Sequence, residues 1–158
     1  MTESNPSISE RKKGLRQKML AMRRALSANE TESRSSSLKE NILSLLEYKN
    51  AKKIMAFLAM KGESNLDGFI RQALLDGKEV YIPVCLPERQ MEAGRLIDME
   101  HFEKGPLGLR NLPAGYEVTS PESLDLVLIP GLAVSQEGIR LGMGAGYYDR
   151  YLERVSPE

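Results

Sequence analysis

The stretch Arg140-Leu141-Gly142-Met143-Gly144-Ala145-Gly146-Tyr147-Tyr148-Asp149-Arg150-Tyr151-Leu152 concentrates more potential chemistry than any other part of the chain. Three glycines at alternate positions lie between an arginine and a Tyr-Tyr-Asp. Glycine admits positive φ and lets a ligand approach the main chain. N–H groups freed in such a loop, ahead of a helix, can cradle an anion. Arg140 adds a planar fork for phosphate, and Asp149 adds an oxygen ligand for a hard cation. The pattern is not a Walker-type phosphate loop, because no Gly-Lys-Ser/Thr follows the last glycine. Nor is it the dinucleotide fingerprint: the spacing is GxGxG rather than GxGxxG, and nine residues, Gly131 to Ile139, separate it from the preceding predicted strand. Two readings remain, an anion cradle or a flexible turn whose tyrosines pack a helix.

Further candidates lie far away in sequence. Lys12 and Arg16 are four residues apart and share a helix face, with Arg23 two turns beyond Arg16. They could supply cations to the phosphates of a nucleotide on the glycine loop, or form an ordinary solvated face. Glu63 follows a predicted strand ending near Ala59, where open α/β sheets bind their ligands. A carboxylate there could take an N–H-rich ring edge, or could be a surface glutamate. His101, the sole histidine, sits among Asp98, Glu100 and Glu103 and reads as exposed and non-catalytic, so no His-based triad or zinc site can be assembled.

These residues must be positioned by a chain of 158 residues, one domain by length and long enough to bury a core. Residues 1–8 read as a disordered leader. Ser9 opens a helix with Leu15, Met19, Met22 and Leu26 at helical spacing. Ser27-Ala28-Asn29-Glu30 reads as a capping box that starts a second helix toward Leu46, its apolar face Leu38, Ile42, Leu45 and Leu46. The short link predicts an N-terminal helical hairpin. Residues 53–59 suit a buried strand, Asn65 caps a helix ended by Asp76-Gly77, and Val80–Val84 is the next strand. Residues 85–94 read as a polar loop or hairpin, Arg95–Met99 as a strand, and 103–123 as mostly irregular. Leu124–Pro130 is apolar enough for a central strand of a parallel sheet. Alternating strands and helices predict an α/β fold, a three-layer α/β/α arrangement around a largely parallel central sheet.

Lys+Arg and Asp+Glu are both 22. That balance, with no stacking-platform pattern among the nine aromatics, argues against a nucleic-acid or membrane-surface protein. The one cysteine, Cys85, excludes an intrachain disulfide, fits a reducing compartment and reads as a buried inert thiol. With no membrane-length apolar run and no signal-peptide core, the expected location is cytoplasmic.

Taken together, the motifs resemble the 5-formyltetrahydrofolate cyclo-ligase (methenyltetrahydrofolate synthetase) family. The resemblance runs from Lys12 onward through Lys12-Lys13-Gly14-Leu15-Arg16, Phe57-Leu58-Ala59-Met60 with Glu63, Tyr81-Ile82-Pro83, Leu126 through Ala133, and Arg140 through Leu152. It implies ATP- and Mg2+-dependent conversion of 5-formyltetrahydrofolate to 5,10-methenyltetrahydrofolate through a phosphorylated formyl group, with ADP and phosphate released. It further implies that Lys12, Lys13, Gly14, Leu15 and Arg16 bind ATP together with Arg140, Leu141, Gly142, Met143, Gly144, Ala145, Gly146, Tyr147 and Tyr148. Leu58 and Glu63 match pterin-binding positions, and Met143 through Tyr147 also face the folate. Arg140 and Tyr148 are the candidate catalytic residues, and Asp149 matches a magnesium ligand. The expected partners are 5-formyltetrahydrofolate and ATP, with no nucleic acid or membrane, in a monomer or weak homodimer. Two departures accompany the resemblance. Relatives continue for some tens of residues past the glycine motif, with further strands and a second acidic metal ligand, so the C-terminal part of the family fold is expected to be missing beyond Glu158. Gly108 through Pro113 also differs from the Gly-x-x-Glu-Pro-like or aromatic-containing segment that relatives often have there, the loop from which the resemblance expects a folate contact. A folate- or nucleotide-binding protein without turnover is the alternative.

Overall fold

The computed structural model describes residues 7–105 and 109–155. Most of the expected leader (residues 1–6) and Gly108 lie outside the described residues. The chain opens with helices α1 (Ile8–Arg24), α2 (Ala28–Ser44) and α3 (Leu46–Asn50). Strand β1 (Lys53–Met55), helix α4 (Asp67–Leu75) and strands β2 (Glu79–Cys85) and β3 (Met91–Leu96) follow. Short strands β4 (Glu103–Lys104), β5 (Arg110–Asn111), β6 (Val118–Thr119), β7 (Leu126–Val127), β8 (Ala133–Val134) and β9 (Arg140–Leu141) lead to α5 (Tyr147–Leu152).

Local chemistry sets the helix starts. Ser27 and Glu30 form the expected capping box: Glu30 N donates to Ser27 Oγ at 3.2 Å, and Ser27 N donates to Glu30 Oε2 at 2.8 Å. A second box, Ser7 with Glu10, starts α1 two residues before the predicted Ser9. Asn65 is not the cap of α4: the N-cap is Leu66, which makes no side-chain cap bond, and Asn65 one residue earlier accepts from Asp67 N through its Oδ1 at 2.8 Å.

The main sheet has the order β6-β3-β2-β1-β7. β1 is parallel to both β2 and β7, while β3 is antiparallel to β2 and to β6. Every strand of this sheet except β3 therefore points the same way. Side chains alternate across it. Ile54, Ala56, Val80 and Ile82 join Ile42, Tyr48, Phe69, Ile70 and Ala73 from α2, α3 and α4. Met55, Tyr81 and Ala93 face the other way, onto Tyr151 of α5 with Tyr147 and Tyr148 alongside. Two apolar faces, each covered by helix, make the three-layer arrangement. Side chains such as Phe69 and Ile54, both fully buried, contribute about 1.5–3 kcal/mol each.

Several expectations are corrected. The segment predicted as the central strand is the short edge strand β7, paired only with β1 among the described residues. Regular pairing ends at Val127, and the chain leaves the sheet toward Pro130, which has no N–H to donate. β3 begins at Met91 rather than Arg95: its middle holds Gly94, because a Cβ there would lie 2.5 Å from Leu112 Cδ1 and 2.8 Å from Tyr116 Cδ2. α2 stops at Ser44, where Leu45 turns extended, so Leu45 and Leu46 are exposed rather than on its apolar face. α1 is linked to α2 by a short turn but buries none of its residues, and Leu15 and Met22 are exposed. Cys85, the last residue of β2, is exposed rather than buried.

Candidate active site

The parallel strands β1, β2 and β7 end on one side of the sheet, where the pattern of open α/β sheets places ligands. Glu63 lies in the segment after β1, Cys85 closes β2, and Pro130 and Gly131 follow β7. The residues between Gly131 and Arg140 are not a simple loop. β8 and β9 pair as an antiparallel hairpin, so the glycine segment springs directly from β9. Gly144 and Gly146 have φ of +104° and +78°, conformations that favour glycine. Gly146 is the N-cap of α5.

Arginines hold this region together. Arg140 Nη1 donates to Pro130 O at 3.1 Å and Nη2 donates to Asp149 Oδ1 at 2.5 Å, with the guanidinium 5.8 Å from the centre of the Tyr148 ring. Arg16 Nε crosses from α1 to donate to Gly142 O at 3.0 Å, and its guanidinium lies over Gly144. Arg23 Nη2 donates to Gly131 O at 2.9 Å, and its Nη1 meets Glu63 Oε1 at 3.4 Å. Glu63 Oε2 also accepts from Met60 N at 3.0 Å.

Tyr148 sits where the three ends meet. Burial, and then the charges of Cys85 and Glu63, push its phenol well above the usual tyrosine range, with Arg140 opposing. It is therefore a neutral hydrogen-bond donor near neutral pH, not a base. Cys85 exposes part of its surface, but the protein atoms around its thiol desolvate it enough to raise its pKa, which favours the unreactive protonated form.

The structure thus brings Arg16, Glu63, Arg140, Tyr148 and Asp149 to one end of the sheet. Leu58, in the segment after β1, is half-buried and packed on the core cluster. Lys12, Lys13, Gly14 and Leu15 are exposed on the same helix as Arg16, and Lys12 and Lys13 make no side-chain hydrogen bond or ion pair among the described residues. Arg23, expected only as a further cation beyond Arg16 on α1, turns instead to Glu63 and Gly131, and Cys85, expected as a buried inert thiol, joins the site at the end of β2. The spacing of seven from Arg16 was the available signal for Arg23; Cys85 had none. The divergent segment after Gly108 does structural work: Arg110 forks onto Asp67 at 2.8 and 2.9 Å, and Leu112 is buried. A cavity of about 410 Å³ lined by Arg95, Asp98, His101, Leu112 and Tyr116 is bordered by none of the predicted site residues. His101 is exposed, as expected. No helix among the described residues is long and apolar enough to cross a membrane.

For magnesium, no group of three His, Cys, Asp or Glu side chains converges among the described residues. Asp149 offers one carboxylate, 74% exposed and paired with Arg140. This fits a cation held mainly by phosphates and water with one protein carboxylate, the usual habit of Mg2+, and does not fit an all-protein cage.

A sequence profile of the 5-formyltetrahydrofolate cyclo-ligase family matches residues 8–157. The chain is 33% identical to a mouse (Mus musculus) protein named 5-formyltetrahydrofolate cyclo-ligase, over 94% of this chain and 76% of that protein. It is also 33% identical to a probable 5-formyltetrahydrofolate cyclo-ligase of Caenorhabditis elegans, over 92% of this chain and 74% of that one. The NMR structure of the Aquifex aeolicus 5,10-methenyltetrahydrofolate synthetase superposes with a TM-score of 0.79 at 34% identity, over 92% of this chain and 73% of that one.

Proposed function

The chain belongs to the 5-formyltetrahydrofolate cyclo-ligase family, and we propose that the cluster at the strand ends is where it converts 5-formyltetrahydrofolate to 5,10-methenyltetrahydrofolate at the expense of ATP. The observation that carries the placement is the contact from Arg16 Nε to Gly142 O, which fastens the cationic helix α1 to the glycine loop. Lys12 and Arg16 on one side, and the backbone of Gly142–Gly146 on the other, then offer positive charge and N–H donors to a triphosphate. Such a site catalyses chiefly by positioning and charge stabilisation.

The substrate's N-formyl oxygen is a poor leaving group. Transfer of the γ-phosphoryl group to it breaks the bond to ADP and makes phosphate the next leaving group; N10 then attacks the activated carbon, the carbon–oxygen bond to phosphate breaks, and the N10 proton is lost to solvent as the methenyl bridge forms. Arg140 stabilises charge on the transferring group, and neutral Tyr148 donates a hydrogen bond nearby. Glu63 accepts from the N–H edge of the pterin. An ionised carboxylate has about four acceptor positions, so it can do so while keeping Met60 N and Arg23, with Leu58 and the loop residues Met143–Tyr147 beside the ring. Asp149 would hold Mg2+, which supplies charge neutralisation at the phosphate oxygens when bound.

The test is absorbance in the near ultraviolet, where the methenyl product absorbs, in a mixture of the protein, 5-formyltetrahydrofolate and Mg-ATP. ATP-dependent growth of that band is expected. Its absence at high protein concentration overturns the assignment.

A further inference from the structure

Arg23 stands out on α1. The helix buries no residue, yet the Arg23 side chain is only 19% exposed and bridges two separate loops. Its stem lies over Gly62, whose φ is +82° and where a Cβ would meet Arg23 Cδ at 3.6 Å. Its head donates to Gly131 O and to Glu63 Oε1. Glu63, 12% exposed, is thereby held at both oxygens, one by Arg23 and one by Met60 N. The neighbouring carbonyl, Pro130 O, accepts from Arg140. Two consecutive carbonyls after β7 thus receive two arginines, one from α1 and one from the start of the glycine segment.

This arrangement separates two tasks on one helix. Arg16 ties α1 to the glycine loop, whereas Arg23, two turns later, ties it to the carboxylate at the end of β1. We propose that Arg23 is a positioning residue for the folate side of the site: it fixes the Glu63 carboxylate in the orientation that receives the pterin edge, acting through Glu63 without touching substrate. The proposal rests on the reading of Glu63 given above. A guanidinium suits the task because its planar fork serves two acceptors from different loops at once, which a lysine ammonium on a flexible stem does less well.

The experiment compares R23A, R23K, E63A and the R23A/E63A double variant with the wild type. The readouts are KM for 5-formyltetrahydrofolate, KM for ATP, and calorimetric binding of 5-formyltetrahydrofolate without ATP. R23A is expected to raise the folate KM about tenfold or more and to weaken folate binding in step, the order expected when a group that orients a ligand-holding side chain is lost, with the ATP KM within about twofold. R23K should fall between R23A and wild type. In the E63A background the further effect of R23A on folate binding should vanish, since contacting residues are coupled. Equal rises in both KM values, or a full R23A effect without Glu63, overturn the proposal. A wild type that neither binds nor converts 5-formyltetrahydrofolate would instead overturn the functional assignment itself.

Discussion

Replacing Gly144 by alanine tests whether the glycine segment acts as a shaped cradle. Gly144 has φ of +104°, and a Cβ there would lie 3.3 Å from Arg16 Cζ and 3.5 Å from its Nε and Nη2. Two costs combine. An L-residue in such a conformation costs about 1–3 kcal/mol, and the added methyl crowds the guanidinium that donates to Gly142 O at 3.0 Å. Gly144 is exposed, so the loop can relax locally instead of unfolding the domain. If ATP binds only the native loop, the strain appears as a smaller competent fraction. A cost of about 1–3 kcal/mol then raises the ATP KM by about 5- to 150-fold, while Tm moves by a few degrees at most. Gly77 is the control: its φ is +75°, nothing lies within 4 Å of an added Cβ, and it follows α4 away from the site. G77A should carry a similar backbone cost as lost Tm with an unchanged ATP KM. Steady-state kinetics and thermal melts of the two variants decide the matter. A G144A enzyme with wild-type ATP KM and kcat would refute the cradle.

G94A should destabilise the fold by about 1–3 kcal/mol through overpacking against Leu112 and Tyr116, read as a lower denaturant midpoint with ATP and folate KM values unchanged. D149N removes one exposed carboxylate paired with Arg140. Stability should change by less than about 1 kcal/mol, while the magnesium concentration for half-maximal activity should rise about tenfold, the size of one lost charge-assisted contact. His101 accounts for a pH effect: its bond to Asp98 raises its pKa above the ordinary histidine value and helps hold Asp98 down to about 2. The sign follows for each partner. The His101 contribution to stability is complete below its unfolded pKa and fades as pH rises through the higher folded value. The Asp98 contribution is complete above its unfolded pKa and fades as pH falls toward 2. In NMR titration of the sole histidine, D98N should return the His101 midpoint toward its ordinary value.

Local signals carried the helices and the alternation of strands with helices. The Ser27–Glu30 capping box could be read because its partners lie within one turn, whereas of the run 53–59 read as a strand β1 keeps only Lys53–Met55. β3 could not be located from its residues, because Gly94 owes its place to Leu112 and Tyr116, which come later in the chain. β7 looked central on composition alone, and its edge position depends on which strands the chain brings beside it. At the site, Arg16, Glu63 and the glycine segment were legible from residue type and spacing. The second role of Arg23 was not, since its partners Glu63 and Gly131 lie 40 and 108 residues away.

α1 carries cations into the site and contributes no side chain to the core. Its hold on the domain combines the polar contacts of Arg16 and Arg23 with the half-buried Met19 and Leu20, none of its residues being fully buried. Proteins open in units of unequal free energy, and a unit with few apolar contacts opens first. Heat should therefore detach α1 before the sheet melts, and catalysis should fail at a lower temperature than the one at which circular dichroism records unfolding of the body. For this fold the thermal limit of function and the thermal limit of structure are separate quantities, and strengthening the core would raise only the second.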